Sequence, residues 1–106
     1  KTLFAKNCAA CHQANGRGIP GAFPALVASP VAIGPADAVA EVLLKGRGGM
    51  PDFSTSLDDA DIAAVLTYAR SSWGNRAPPI TGAEVTLRRA ALQVAPAGDS
   101  RFGNKH

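Results

Sequence analysis

An all-α fold is what this sequence predicts, and three observations predict it. The 106-residue chain is rich in Ala, with 11 Gly and 8 Pro but only 4 Phe, 1 Tyr and 1 Trp. That is the composition of short helices joined by tight loops. Apolar residues recur at helical spacing, most clearly Ile62, Val65, Leu66, Ala69 and Trp73 at i, i+3, i+4, i+7 and i+11. Helix-start and helix-stop residues bracket these runs.

A first helix is expected over residues 2–13, where Phe4, Cys8 and Cys11 share one face. Gly16 and Gly18 end it, and residues 14–34 form a Gly- and Pro-rich loop. Within that loop the run from Ile19 through Phe23 and Pro24 to Leu26 is apolar enough to need a packing partner. A second helix is expected over 35–45, with Pro35 in its first turn and Val39, Val42 and Leu43 buried; Gly46, Gly48 and Gly49 stop it. A third is expected over 57–73, opened by a Ser56/Asp59 capping box. Asp58, Asp59 and Asp61 suit its positive end, and Gly74 is its stop. After the stiff Arg76-Ala77-Pro78-Pro79 connector, a short helix is expected over about 82–94. Thr81 and Glu84 would cap it, and Leu87, Ala90, Ala91 and Val94 would form its buried stripe. From Pro96 a flexible tail is expected.

The chemistry sits in Cys8-Ala9-Ala10-Cys11-His12. Two thiols three apart, with an imidazole directly after, form the attachment signature of a c-type haem. On a helix both sulfurs and the ring project from one side, so the thiols reach two vinyl groups while His12 approaches the iron. A zinc site would need two further Cys or His ligands, and the remaining His is His106, at the far end. A thioredoxin-like dithiol would need a βαβ setting, and no strand-rich segment precedes Cys8. A covalent porphyrin also accounts for a small core with so few aromatics.

The second axial position falls to Met50, the one Met in the chain, in Gly48-Gly49-Met50-Pro51. The glycines let backbone approach a flat ring, Pro51 holds Met50 extended, and a thioether suits haem iron. The alternative is a flexible core filler. Its uniqueness and loop chemistry favour the ligand. His106 would serve only if the tail folded back fully.

Charge separates the chain in two. Residues 1–75 carry six Lys/Arg and six acids, whereas 76–106 carry five basic and two acidic residues. The basic segment reads as a solvated tail rather than a docking patch. No basic stripe with interleaved aromatics marks a nucleic-acid footprint, and no stretch has the length of a membrane span. Arg17, Arg47 and Arg70 are candidates for pairing with haem propionates, the solvated reading being favoured for each. No Ser/His/Asp set, paired acids or phosphate loop supports catalysis, so an electron carrier is expected rather than an enzyme.

The haem motif, the Pro24-Ala25-Leu26 loop, the Gly-Gly-Met50-Pro51 segment and a closing helix with Tyr68 together resemble a class I c-type cytochrome with His/Met ligation. The resemblance covers residues 1–75. It implies a small cytochrome c fold, three core helices around one covalent haem c, with 76–106 as a C-terminal helical extension. It implies that Phe4 and Tyr68 sit near a near-perpendicular crossing of the first and third helices. The Pro24 carbonyl would accept a hydrogen bond from the His12 ring, and Leu26 would pack on the haem. The implied cofactor-binding set is Cys8, Cys11, His12, Pro24, Leu26 and Met50, with His12 and Met50 on the metal. The run from Tyr68 to Asn75, with Val85 and Arg88, is similar to cytochrome subunits and domains of periplasmic alcohol, gluconate and related dehydrogenases. The family's first helix usually extends a turn further upstream, so an excised domain with its leader removed is expected.

Three functions fit these residues. The first is a one-electron carrier between redox proteins, a dehydrogenase on one side and a terminal oxidase or reductase on the other, outside the cytoplasm. The second is the same unit as a domain or subunit of a larger periplasmic dehydrogenase or reductase. The third is a haem enzyme or gas sensor with an open iron, which requires Met50 not to bind. Phe23 and Phe53 are expected in the core rather than on a docking surface.

Overall fold

A computed structural model of the chain describes residues 1–95 and 97. Five helices and no strands are present among them: α1 (Thr2–Asn7), α2 (Ala9–His12), α3 (Ala36–Lys45), α4 (Asp59–Arg70) and α5 (Gly82–Ala91). The expected flexible tail from Pro96 lies, apart from Ala97, outside the described residues.

The all-α expectation holds, with element boundaries that differ for identifiable reasons. The single N-terminal helix is two helices broken at Cys8, which ends α1 and caps α2 (φ −122°, ψ −32°). It stops at His12, because Gln13 turns into the left-handed region (φ 69°). Pro35 caps α3 from an extended conformation instead of sitting inside its first turn.

The third expected helix starts at Asp59, not Leu57. Asp58, rather than Ser56, is the cap, and its carboxylate accepts from Asp61 N at 2.8 Å. Leu57, just ahead of the cap, and Ile62, one turn in, are both buried in one core, the positions of a hydrophobic staple. Fixing Leu57 in the core fixes the start of α4. Its far end comes at Arg70, so Trp73 and Gly74 lie beyond the helix, both with positive φ (54° and 92°).

α3, α4 and α5 pack on one another, and α1 packs on α4. Phe4, Val39, Leu43, Leu44, Ile62, Leu66 and Val85 form the shared core. At the meeting of α1 with α4, Phe4 stands 5.3 Å from both Tyr68 and Trp73, and those two rings meet edge-on at 5.7 Å. Such spacings favour tilted aromatic pairs. The connector is pinned by Thr67, whose hydroxyl donates to Ile80 O (3.1 Å) and accepts from Ile80 N (3.0 Å).

The buried face of α5 is not the expected one. Leu87 is 73% exposed, Ala90 and Ala91 are exposed and Val94 is half-buried, whereas Val85 and Arg89 are buried. Arg89 enters because its charge is met. Its Nε pairs with Asp59 at 2.7 Å, and its terminal nitrogens donate to the carbonyls of Ser54 (2.8 Å), Ala95 (2.6 Å) and Leu57 (3.3 Å). Arg88 pairs with Glu41 on α3. The solvated-tail reading therefore fails for both arginines. Up to Ala95 the C-terminal segment is a packed part of the fold.

The Thr81/Glu84 capping box forms as expected, with Thr81 Oγ1 accepting from Glu84 N (3.1 Å) and Glu84 Oε1 from Thr81 N (2.9 Å). Thr81→Ala is expected to lower stability by about 1 kcal/mol, read from the midpoint of a denaturant titration at unchanged slope.

Candidate functional site

α2 is four residues long, and together with its cap Cys8 it carries both thiols and the imidazole within five residues. His12 N and Cys11 N both bond back to Cys8 O (2.9 and 3.2 Å), so the relative placement of the three side chains is set locally. Cys8 and His12 are buried and Cys11 half-buried. Neither cysteine is in a disulfide. Burial, reinforced by neighbouring Cys11, pushes the Cys8 thiol up to about 11.

His12 is oriented from outside its own helix. Its Nδ1 donates to Pro24 O at 2.8 Å. A carbonyl only accepts, so the proton resides on Nδ1 and Nε2 keeps its lone pair for a metal. The intervening loop is built to deliver that carbonyl. Gly18 N bonds His12 O (3.0 Å), and Leu26 N and Val27 N converge on Gly16 O (2.6 and 3.1 Å). Gly16 is required twice over: its φ is +70°, and an added Cβ would stand 2.5 Å from the Trp73 ring. A cleft of about 380 Å³ opens beside Pro24, lined by Arg17, Phe23 and Ala25. Ile19 and Phe23, joined there by an antiparallel bridge, are each 40% exposed. Phe23 is thus not the core residue expected, whereas Phe53 is half-buried against the core.

Met50 ends a two-residue turn, Arg47-Gly48-Gly49-Met50. Met50 N donates to Arg47 O (2.9 Å), Arg47 N to Met50 O (3.3 Å), and Gly48 has φ +59°. Gly46 sits so close to Met50 O that a Cβ there would approach it to 2.7 Å. Phe53 N donates to Leu43 O (2.7 Å), tying the segment to the end of α3. Met50 and Leu26 are half-buried and both pack against the core cluster that contains Cys8.

The residues fit a covalent haem: two cysteines three apart and outside any disulfide, an imidazole with its Nδ1 proton fixed, and one thioether on a glycine turn. Among the described residues no group of three or more His, Cys, Asp or Glu is placed to hold a metal ion.

Arg70 departs from expectation. It is 3% exposed rather than solvated. Its Nε donates to Pro78 O (2.8 Å) and its Nη1 to Ala32 O (3.1 Å) and Gly34 O (2.7 Å). It fastens the 32–34 loop to α4. Trp73, expected only as the last residue of a helical stripe, and Asn75, expected only as part of the family-like run, also reach the loop after the haem motif, at Ala14 O and Leu26 O. The signal was the Trp73-Gly74-Asn75 run itself, polar and aromatic donors either side of a glycine.

Comparison with known proteins agrees in kind. Residues 1–68 match the family model described as cytochrome c oxidase, cbb3-type, subunit III. The cytochrome c subunit of a quinone alcohol dehydrogenase from Gluconacetobacter polyoxogenes is 34% identical over 90% of this chain, which spans only 23% of that subunit's length. Cytochrome c-552 of Thermus thermophilus is 38% identical, the match covering 78% of this chain and 79% of that protein. The solved structure of cytochrome c6 from the diatom Phaeodactylum tricornutum superposes with a TM-score of 0.56 at 30% identity, covering 68% of this chain and 87% of that one.

Proposed function

The chain belongs to the class I c-type cytochromes, within the family of the cbb3-type subunit III model, and from that membership we infer which residues carry its haem and where it works. It is an electron-transfer protein with covalently attached haem c. Bound to the chain, haem c supplies an iron that alternates between Fe(III) and Fe(II), one electron at a time.

In our reading Cys8 and Cys11 form the thioether links, and His12 Nε2 and the Met50 sulfur are the axial ligands. Pro24 orients the imidazole and Leu26 packs on the porphyrin. The observation that carries this reading is the 2.8 Å bond from His12 Nδ1 to Pro24 O. It fixes the tautomer and makes the imidazole a stronger donor. Retention of both ligands in both oxidation states would keep reorganisation small, as a carrier requires.

The setting follows the relatives. The 34% identity over 90% of the chain with a dehydrogenase cytochrome subunit, against 23% of that subunit's length, favours one electron-transfer unit of a larger periplasmic dehydrogenase. Its electrons would come from a dehydrogenase and pass to an oxidase or reductase. We propose a haem unit over 1–75 with an extension over 76–106, docked on α3 and α4 as far as Ala95. No helix among the described residues is long and apolar enough to cross a membrane.

The test is mass and absorption spectroscopy of the matured protein. The expected result is one haem added per chain, resistant to acid extraction, with the weak near-infrared sulfur-to-iron band in the oxidised form. A mass equal to the bare polypeptide would remove the attachment assignment, and haem without that band would remove Met50.

A further inference from the structure

We propose that the turn after α4 is a clamp that sets the His12–Pro24 hydrogen bond, with Trp73 and Asn75 as positioning residues that tune the iron's reduction potential through the imidazole. The proposal rests on His12 being an axial ligand.

The two residues flank Gly74 and grip opposite ends of that bond. On the His12 side, Trp73 Nε1 donates to Ala14 O at 2.9 Å, two residues beyond the ligand. Its ring fills the space left by the missing Cβ of Gly16. On the Pro24 side, Asn75 donates through Nδ2 to Leu26 O (3.0 Å), two residues beyond the accepting carbonyl, and accepts at Oδ1 from Ala28 N (2.8 Å). Nδ2 also donates to Ala69 O in the last turn of α4 (2.9 Å). Asn75 is buried with all three of these bonds made. Both prongs therefore reference the loop to one rigid helix. Gly16 O joins them by accepting from Leu26 N and Val27 N.

Backbone strain marks the same joints. Among the described residues four non-glycines have positive φ, and three of them are Gln13, Ala28 and Trp73. Gln13 follows the ligand, Ala28 is held by Asn75, and Trp73 is a prong itself. Left-handed conformations are unfavourable for such residues and persist where surrounding contacts over-determine them. A loop that merely connected two helices would have no need of them.

The chemical consequence has a sign. A short Nδ1–H···O bond gives the imidazole more negative character and favours Fe(III). Loosening the clamp weakens that bond, favours Fe(II) and raises the potential.

The experiment uses the matured holoprotein with Asn75→Ala, Trp73→Phe (which keeps an aromatic ring and removes the indole donor) and, as a remote control, Thr81→Ala. Three quantities are read: the axial-ligand absorption signature, the midpoint potential, and solvent exchange of the His12 Nδ1 proton by NMR of the ferrous form. Expected for Asn75→Ala is exchange roughly tenfold faster, the scale of one weakened hydrogen bond, with an upward shift in potential. Trp73→Phe should move both the same way by less, and carries the test alone if Asn75→Ala does not mature. Thr81→Ala should lose stability with exchange and potential unchanged. Native ligation with unaltered exchange, or with a potential that stays or falls, overturns the clamp. Absence of histidine ligation in the parent protein overturns the ligand assignment and the clamp with it.

Discussion

Met50→Ala is expected to convert a protein indifferent to carbon monoxide into one whose ferrous form binds it rapidly at neutral pH. Its midpoint potential should drop on the order of 0.1–0.3 V, a fraction of the ~0.8 V that axial ligands span. The chain has no second methionine to substitute. The turn that presents the side chain is held by main-chain bonds between Arg47 and Met50, so truncating the side chain leaves the loop in place. The residue is half-buried, and the fold should lose only about 1 kcal/mol. Ligand loss and unfolding are therefore separable in one variant. Met50→His should close the site again at a potential below the parent's, because a second imidazole favours Fe(III) relative to a thioether. Redox titration and carbon monoxide mixing decide the matter. A Met50→Ala protein with an unchanged near-infrared band and potential would assign the sixth position elsewhere.

Arg70→Leu is expected to cost about 3–5 kcal/mol, a large share of the roughly 5–15 kcal/mol that holds a domain together. At roughly 4–8 °C per kcal/mol for a domain of this size, the melting temperature should fall by tens of degrees. The reason is the partner set. Among the described residues, arginine–carboxylate pairs form at Arg88–Glu41 and Arg89–Asp59; Arg70 instead meets the carbonyls of Pro78, Ala32 and Gly34. Leucine fills the volume and leaves those three acceptors without donors. Arg70→Lys should recover less than half of the loss, since one ammonium cannot span acceptors that a planar fork reaches on two sides. Denaturant unfolding of the holoprotein measures both. A loss under 1 kcal/mol for leucine would mean that water replaces the guanidinium and that the loop is not fastened there.

What could be read from the chain was what is local. Cys8, Cys11 and His12 lie within five residues, and helix geometry alone puts them on one side. The Thr81/Glu84 box is equally short-range and formed as read. Arginine was where reading failed. Hydropathy sends Arg89 to solvent and Leu87 to the core, and the structure does the reverse. Besides Ala95 just past the helix, the partners that bury Arg89 are Ser54, Leu57 and Asp59, thirty or more residues away, and no periodicity within 82–94 contains them. Arg70 failed for the same reason, its acceptors lying in two separate loops. The start of α4 was ambiguous because Ser56 and Asp58 are both good caps. Burial of Leu57, a tertiary fact, decides between them. The Pro24 role came only from the family resemblance, since twelve residues of loop separate it from His12.

The helix break at Cys8 makes the attachment segment self-contained. Most of its shaping bonds close inside it, from Cys11 N and His12 N to Cys8 O and from Gln13 N to Ala9 O, and the bond from Cys8 N to Phe4 O (2.9 Å) is a main-chain one that any helical residue there supplies. Lengthening or rewriting the sequence ahead of Cys8 leaves the vectors from sulfurs to imidazole untouched, provided one aromatic still lands where Phe4 does. Insertion after His12 has no such freedom, because it pulls the ring away from its distant acceptor. The segment thus behaves as a cassette, open upstream and indexed downstream, portable to any helical scaffold that offers a carbonyl at the right reach.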